Sequence, residues 1–540
     1  MKHTLVIVGA GLAGLSAALT AVKNGWTVKL VSSLASERAQ SVMAEGGINA
    51  ALNTKGEEDS PEQHYTDTLT AACRLADPNA VWGMTQAASE LVRSLHHLGV
   101  QFNVTDDDEL DLRNFGGQKK KRTAFAQSDT GKQLMTALID AVRREESAGT
   151  VERFPHHKFR TLLLSGNICG GCTVQDTYTG ELLRFVCDAV LIATGGLHGL
   201  FGDTTGSLAN TGEVTAELFR LGVPMANLEM IQYHPTTVEL GEKRMLLSEA
   251  ARGEGGRLFA LRNGKLWYFM EEKYPELGNL MPRDITAREV WTVSRDYEVF
   301  LDMTELPKEV MEHKLAGLVD DCQTYLHKDI RKEPIPILPG IHYFMGGIQV
   351  DERHRTSMRN LYAAGECCAQ YHGANRLGGN SLLGAIYGGQ IAAETACRGT
   401  VSSPNMPCAE ESLLPELSPD AQMQMNRILL NALGVVRDAQ TLEAGIQEIR
   451  KLSGTLPLLA VPCWKVPSPE KKAGVRTGGQ IIPNATMPFT AKPPWHTGTG
   501  SISPSALNPS PKGGMIYELH HPNQTAGKPA GFTLLAGVFL

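Results

Sequence analysis

The first thirty residues fall into apolar and polar blocks whose lengths suit a strand, a helix and a second strand. An apolar run at residues 5–8 leads into a glycine turn, a stretch of small and apolar residues follows, and a second apolar run ends near residue 31. Short apolar runs bounded by turn residues are typical of buried strands. The pattern therefore predicts a β-α-β unit.

The turn of this unit carries Gly9, Gly11 and Gly14 at the spacing G-x-G-x-x-G. The first glycine permits a tight turn, the second lets the backbone around Ala10 approach a pyrophosphate, and the third allows close packing of helix on strand. The N-terminus of the helix then faces the anion. We predict a dinucleotide site here; the alternative is a glycine turn without a ligand.

Two later apolar runs favour FAD over NAD. "DAVLIATGG" (188–196) and "NLYAAGECC" (360–368) each predict a strand that ends in a turn of small residues. The second strand of the first unit ends in Ser32-Ser33, without the acidic residue that holds a ribose diol in NAD domains. A nucleotide domain that is interrupted by insertions and completed by a late strand fits a flavin-binding fold better than an NAD domain.

Length and charge exclude some classes of protein. The 540 residues suffice for two to four domains, and the net charge of −7, with both signs mixed along the chain, argues against nucleic acid as a partner. The sequence contains no run of about twenty apolar residues, so we predict no direct membrane span. We expect a cytoplasmic protein, at most peripheral at the inner face of a membrane through partner subunits.

The ten cysteines show no paired spacing, so we predict neither a disulfide framework nor a metal site. Cys169 and Cys172 form a single CxxC with no second half. We expect this pair in a strand-turn-strand.

The ordered motifs resemble those of one known family, the flavoprotein subunits of fumarate reductase and succinate dehydrogenase, with L-aspartate oxidase as a close relative. The similarity extends from about residue 3 to 450 and rests on GAGLAG (9–14), SVMAEGGINAA (41–51), NTGE (210–213), QYHPT (232–236), SEAARGEGG (248–256), PRDITAR (282–288), HYFMGG (342–347), GE (365–366) and HGANRLGGNSLL (372–383).

The resemblance implies an α/β fold with a Rossmann-like FAD-binding domain, an inserted α+β capping domain and a truncated or altered C-terminal helical region. The implied boundaries are residues 1–224 and 346–400 for the FAD-binding domain, 225–345 for the capping domain, 405–452 for a partial helical domain and 453–540 for an irregular tail.

The resemblance also implies which residues contact FAD. Besides the glycine turn, these are Ser41, Gly46, Gly47, Glu213, Glu366, Ser381 and Leu382. The last two begin a helix, and their N–H groups would face the flavin ring, where the positive end of the helix dipole stabilises charge on the reduced flavin.

A four-carbon dicarboxylate such as fumarate needs cationic or donor groups at both ends. The family motifs imply that His234, Ser248, His342 and Arg376 supply them. Arg376 is suited to bind one carboxylate bidentately.

Reduction of fumarate needs a hydride on one alkene carbon and a proton on the other. By resemblance Arg283 is the proton donor, although arginine is a poor acid in water. Glu249 and Arg252 match the relay that would resupply its proton. From spacing alone, a surface salt bridge within a helix is the simpler interpretation of Glu249 and Arg252.

Two departures from the family matter. Where membrane-bound members carry a histidine joined covalently to FAD, this chain has Gln40, so we expect non-covalent FAD and a preference for fumarate reduction. The second departure is residues 453–540, which hold nearly half of the 28 prolines and little periodicity. A two-nucleotide shift of the reading frame across residues 487–504 permits a string like the family's, and we hypothesise that the tail is frameshifted.

The sequence analysis leaves three functions open. A fumarate reductase is the first, L-aspartate oxidase is the second, and a catalytically silent flavin-binding remnant is the third. No iron–sulfur or haem motif lies on the chain, so electrons must arrive from a partner such as an iron–sulfur subunit, arrive from free reduced flavin, or leave to oxygen.

Overall fold

The computed structural model describes residues 3–399 and 418–452, together with the backbone of a short strand at 516–517. The helices, numbered in chain order, are α1 (Leu12–Lys23), α2 (Pro61–Ala71), α3 (Pro78–Leu98), α4 (Thr130–Ser147), α5 (Glu213–Arg220), α6 (Glu249–Gly253), α7 (Phe269–Lys273), α8 (Arg283–Ser294), α9 (Ala316–Tyr325), α10 (Asn380–Gly399), α11 (Pro419–Ala432) and α12 (Ala439–Leu452).

The strands, numbered in the same way, are β1 (Thr4–Val8), β2 (Thr27–Ser32), β3 (Ile48–Asn49), β4 (Leu112–Arg113), β5 (Thr123–Ala124), β6 (Val151–Pro155), β7 (His157–Ser165), β8 (Ile168–Asp176), β9 (Leu182–Val186), β10 (Ala189–Ile192), β11 (Met225–Ala226), β12 (Ile231–Leu240), β13 (Lys243–Leu246), β14 (Arg257–Arg262), β15 (Lys265–Trp267), β16 (Val299–Asp302), β17 (Ile335–Pro336), β18 (Leu338–Phe344), β19 (Gly347–Ile348), β20 (Leu361–Ala363) and β21 (Ile516–Tyr517).

A parallel sheet with the strand order β20-β10-β1-β2-β6 forms the centre of the FAD-binding fold. The predicted β-α-β unit is β1-α1-β2, and the two later apolar runs are β10 and β20, which lie side by side. The late strand β20 therefore completes the sheet as predicted. Helices α1, α3, α4 and α10 cover one face with a continuous apolar core.

The other face of the sheet packs against the antiparallel sheet β7-β8-β9 and against α5, α11 and α12. Cys169 and Cys172 both lie in β8, after the turn that joins it to β7, and are buried. The pair therefore lies in a strand-turn-strand, as predicted, with both cysteines in its second strand.

The inserted region between β11 and β19 mixes helices with two antiparallel sheets, β13-β12-β18 and β15-β14-β16-β17. Its own apolar core includes residues of α6 to α9. An insertion that mixes helices with antiparallel sheets around a separate core matches the α+β capping domain implied by the resemblance, although its boundaries stay a prediction.

The C-terminal helical region is described only in part. Helices α11 and α12 pack on the central fold, and Ser418 caps α11 by accepting a hydrogen bond from the N–H of Ala421. The predicted tail 453–540 and its hypothetical frameshift lie outside the described residues, apart from β21, which pairs with β11. Within the described ranges no helix combines the length and hydropathy needed to cross a bilayer.

Candidate active site

A cavity of about 1080 Å³ opens at the carboxyl end of β1 and extends to the capping domain. Its wall contains sixteen of the eighteen predicted site residues; Gly14 and Arg252 lie behind it. Crevices at the carboxyl ends of parallel strands are the usual ligand sites of α/β sheets. The tertiary fold therefore gathers motifs spread over more than 370 residues into one site.

The glycine turn has the backbone geometry that nucleotide binding requires. Gly9 has φ +119°, and a Cβ there would lie 2.1 Å from the carbonyl oxygen of Ala193. A Cβ on Gly14 would lie 1.8 Å from the carbonyl oxygen of Gly9, so Gly14 acts through packing rather than through ligand contact. Gly11 borders the cavity beside Ser41, whose Oγ accepts the N–H of Leu12 at 3.4 Å.

The remaining predicted cofactor residues border the same space: Gly46, Gly47, Glu213, Glu366, Ser381 and Leu382. Glu366 Oε1 already accepts hydrogen bonds from the N–H of Phe344 at 3.0 Å and pairs with His198 Nε2 at 3.2 Å. Glu366 therefore has structural partners of its own as well as a face on the cavity. The long cavity, the close backbone at the turn and the start of α10 together fit FAD.

Arg376 is a buried cation without a counter-ion. It is 3 % exposed, its Nε is buried and unbonded, and no acceptor among the described residues hydrogen bonds to its guanidinium. The ring of Tyr343 lies 4.4 Å from the guanidinium carbon. Burial and the charge of Arg283 lower the pKa of Arg376 to about 9, which still leaves a cation at neutral pH. A buried, unpaired guanidinium calls for an anionic ligand.

Two histidines face each other across a pair of capping-domain strands. His234 lies on β12 at a bulge, His342 lies on β18, and their ring centroids are 5.2 Å apart. His234 Nε2 is buried and unbonded, whereas His342 Nδ1 pairs with Thr205 Oγ1 at 2.8 Å. Burial, reinforced by nearby Arg283, lowers the pKa of both rings well below the usual value. Both are therefore neutral hydrogen-bonding groups at physiological pH.

Ser248 stands at the N-cap of α6, where its Oγ accepts the N–H of Ala250 at 3.4 Å. Its hydroxyl borders the cavity beside Glu249. The cap places this hydroxyl on the wall of the cavity that the two histidines also border.

Arg283, Glu249 and Arg252 form one buried chain. Glu249 Oε2 binds Arg283 Nη2 at 2.6 Å, and Glu249 Oε1 pairs with Arg252 Nη2 at 3.2 Å. The side chains of Glu249 and Arg252 are 1 % and 0 % exposed, so the interpretation as a surface salt bridge is wrong. Burial alone would raise the pKa of Glu249, but Arg283 and Arg252 outweigh it and lower that pKa.

The sequence analysis missed several residues that complete the site. Gln232 accepts from Arg283 Nη1 at 3.1 Å and donates to Asn375 Oδ1 and to the carbonyl of Arg376, each at 2.8 Å. Both Gln232 and Asn375 stand inside quoted motifs, so proximity to His234 and Arg376 was the available signal. Glu45, in the AEGG motif, also borders the cavity, and one of its carboxyl oxygens is buried and unbonded.

Among the described residues, no cluster of three or more His, Cys, Asp or Glu side chains is placed to hold a metal ion.

Comparison with known proteins agrees with this geometry. A family model described as "FAD binding domain" matches residues 4–382. The succinate dehydrogenase flavoprotein subunit of Bacillus subtilis is 43% identical over 406 residues, which is 74% of this chain and 69% of the relative. L-aspartate oxidase of Streptomyces coelicolor is 33% identical over 472 residues, which is 83% and 79% of the two chains.

A solved quinol–fumarate reductase with menaquinol superposes with a TM-score of 0.76 at 28% identity, covering 84% of each chain. The predicted fold class is therefore confirmed. The chain belongs to the FAD-binding family that includes the flavoprotein subunits of succinate dehydrogenase and fumarate reductase.

Proposed function

We propose that this protein is an FAD-dependent oxidoreductase that interconverts fumarate and succinate and that works chiefly as a fumarate reductase. The observation that carries the proposal is Arg376, a buried guanidinium that lacks a partner among the described residues and borders the cavity. A substrate carboxylate would supply the missing counter-ion through two parallel hydrogen bonds.

The second carboxylate would bind at the other end of the substrate space, where His234, His342 and Ser248 border the cavity. The unbonded Nε2 of His234 is available to a substrate oxygen. Holding both carboxylates draws electron density from the alkene between them and stabilises the charge that develops in the transition state. It also fixes the alkene against the proton donor.

Arg283 is the proposed proton donor because it borders the cavity and its guanidinium is held by Glu249 and Gln232. Glu249 and Arg252 would return the proton, since the three side chains are joined in sequence by hydrogen bonds. Bound FAD supplies the hydride. The chain's own residues bind the dicarboxylate, exclude water and deliver the proton.

We further propose that the FAD is bound without a covalent bond. Gln40, at the position of the family's covalent histidine, borders the cavity, and an amide side chain has no ring nitrogen for the attachment. A covalent link generally raises the flavin potential, so its absence favours reduction of fumarate over oxidation of succinate.

L-aspartate is the alternative substrate, because the chain is also similar to the L-aspartate oxidase of Streptomyces coelicolor. An amino acid substrate needs an acceptor for its ammonium group. The carboxylates of Glu249 and Glu366, which border the substrate end, are already hydrogen bonded within the protein. This pairing makes Glu249 and Glu366 poor acceptors for an ammonium group, whereas Glu45 keeps an unbonded oxygen on the same cavity.

The relatives named as subunits support partner proteins in general. For this chain we propose an iron–sulfur subunit or another protein electron donor and a location that is cytoplasmic or peripheral to the inner face of a membrane.

The decisive experiment measures fumarate-dependent oxidation of reduced methyl viologen by the purified, FAD-supplemented protein. We expect turnover in the wild type, loss of turnover in Arg283→Ala, and little change in Arg288→Ala, an exposed arginine on the same helix. Idle wild-type protein that retains FAD, yet releases peroxide with L-aspartate, would identify an aspartate oxidase. No turnover with either substrate would indicate the silent remnant.

A further inference from the structure

The segment 376–380 joins the two halves of the site. Arg376 borders the cavity at its start, and α10 begins at its end with Asn380, followed by Ser381 and Leu382, which also border the cavity. Any shift of this segment would move the substrate arginine and the start of the helix together.

Asn49, at the end of β3, is the main contact of this segment and is fully buried. Its N–H donates to the carbonyl of Gly379 at 3.1 Å. Its Nδ2 donates to the carbonyl of Gly378 and to Asn380 Oδ1, each at 2.7 Å. Three hydrogen bonds from one residue therefore hold three consecutive residues of the segment.

The side chain of Asn49 is itself held rigidly. Its Oδ1 accepts from Thr123 Oγ1 at 2.6 Å and from Gln118 Nε2 at 2.9 Å. Gln118 Nε2 also reaches the carbonyl of Gly378 at 3.0 Å. The amide orientation of Asn49 is thus determined, because its oxygen receives two hydrogen bonds and its nitrogen donates two.

The carbonyl of Gly378 lies just before α10 and is bonded to Asn49 and Gln118. The N–H of Leu382 is among the first four of α10, which have no acceptor within a helix, and it donates to no other acceptor among the described residues. That N–H therefore remains available at the cavity wall.

The segment has no room to relax. Gly379 has φ +82°, and a Cβ there would lie 2.1 Å from Asn49 Oδ1. A Cβ on Gly378 would lie 2.9 Å from Glu249 Oε2. The two glycines are packed between Asn49 on one side and the Glu249 carboxylate on the other.

We propose that Asn49 is a positioning residue that keeps the N–H of Leu382 directed at the flavin and the guanidinium of Arg376 directed at the substrate. It acts through the segment 376–380 and contacts neither ligand itself. The substrate half of this inference rests on the proposed function, whereas the flavin half rests on FAD binding with the start of α10 facing the flavin ring.

The test compares Asn49→Ala with two other variants. Gln118→Leu removes the second donor to the Gly378 carbonyl while leaving Asn49 in place. Thr161→Val is the matched control, since it also loses one buried hydrogen bond, to Glu217 at 2.7 Å, in strand β7, and Thr161 does not border the cavity. For each FAD-loaded protein, the two-electron midpoint potential, the KM and kcat for fumarate, and the Tm are measured.

We expect Asn49→Ala to weaken binding of reduced relative to oxidised flavin about tenfold, which shifts the potential by about 30 mV in the negative direction. The KM for fumarate should rise about tenfold as well. Gln118→Leu should shift both quantities in the same direction by less, and Thr161→Val should lower Tm alone.

A lower Tm with an unchanged potential and KM in Asn49→Ala would overturn the inference and leave Asn49 a purely structural residue. If Asn49→Ala does not hold FAD, the midpoint potential of Gln118→Leu is the test instead. A potential in Gln118→Leu equal to that of the wild type overturns the inference. The potential is measured without substrate, so the predicted shift in Asn49→Ala together with no fumarate turnover in the wild type would contradict only the proposed function.

Discussion

Glu249 and Arg283 form a buried ion pair in which Oε2 of the carboxylate lies 2.6 Å from Nη2 and 2.8 Å from Nε of the guanidinium. Oε1 of the same carboxylate accepts from the N–H of Gly116 and from Arg252, each at 3.2 Å. One carboxylate therefore neutralises two buried arginines. It also orients the guanidinium that borders the cavity, so several experiments can be built on this pair.

Replacing Glu249 by Gln should lower kcat for fumarate by about 10²-fold or more, because the proposed acid loses its proton supply and its alignment. Stability should fall by about 3–5 kcal/mol, since two buried arginines lose their shared counter-ion. Steady-state kinetics and urea denaturation measure the two effects.

Glu289→Gln is the control for this variant. It removes a carboxylate from a pair with Lys273, which is 58 % exposed, and such pairs contribute at most about 1 kcal/mol. Near-normal turnover in Glu249→Gln would refute the relay.

Replacing Arg376 by Met should separate stability from function. Without a dicarboxylate, the free energy of unfolding should rise by about 1–3 kcal/mol, because a buried charge without a partner is removed. The KM for fumarate should rise about 10- to 100-fold, as expected for loss of a charge-assisted hydrogen bond. Arg376→Lys, which keeps the charge but not the planar fork, should give an intermediate KM. An unchanged KM in Arg376→Met would contradict the assignment of this residue.

The flavin should be released when the protein is precipitated with acid. Gln40 cannot form the histidyl bond of the membrane-bound relatives, so the yellow colour should appear in the supernatant with the absorbance spectrum of FAD. Flavin fluorescence that stays with the denatured polypeptide on a gel would show a covalent link and refute this prediction.

Buried histidines should make the protein sensitive to acid. Burial lowers the pKa of His354 to about 4, although the hydrogen bond to the carbonyl of Ala363 opposes the shift. In the unfolded chain the imidazole of His354 has a pKa of about 6.5, so below that pH the unfolded state binds a proton that the folded state does not yet bind. The contribution of the neutral His354 to the free energy of unfolding is therefore complete above pH 6.5 and is lost as the pH falls towards 4. Wild type should lose about 3 kcal/mol more than His354→Gln between pH 6.5 and pH 4. The free energy of unfolding is measured by urea denaturation at both pH values. If wild type and His354→Gln lose the same amount between them, this account is wrong.

The sheet and the glycine turn were predictable because their signals are local. An apolar run followed by Gly9 and Gly11 specifies a strand and a tight turn whatever lies elsewhere in the chain. The same holds for the start of α10, which the structure places at Asn380. The sequence also predicted that the late strand β20 completes the nucleotide domain, but its position beside β10 is known only from the structure.

From their spacing alone, Glu249 and Arg252 were wrongly interpreted as a surface salt bridge. Residues three apart on a helix are neighbours in any environment, and only the packing of the capping domain decides whether water reaches them. In the fold they are buried against Gly116 and Arg283, which changes a weak surface pair into part of the site.

The sequence by itself determined the β-α-β unit of the nucleotide fold, the family motifs and the chemical types of the site residues, because these depend on local pattern and on residue identity. Only the tertiary structure decided that the guanidinium of Arg376 has no hydrogen-bond partner among the described residues and that Gln232 links the carbonyl of Arg376 to the guanidinium of Arg283. It also decided that Asn49 holds the glycines before α10. These relationships join residues up to 331 positions apart, and burial and hydrogen bonding over that separation follow from the packing of whole elements rather than from any local pattern.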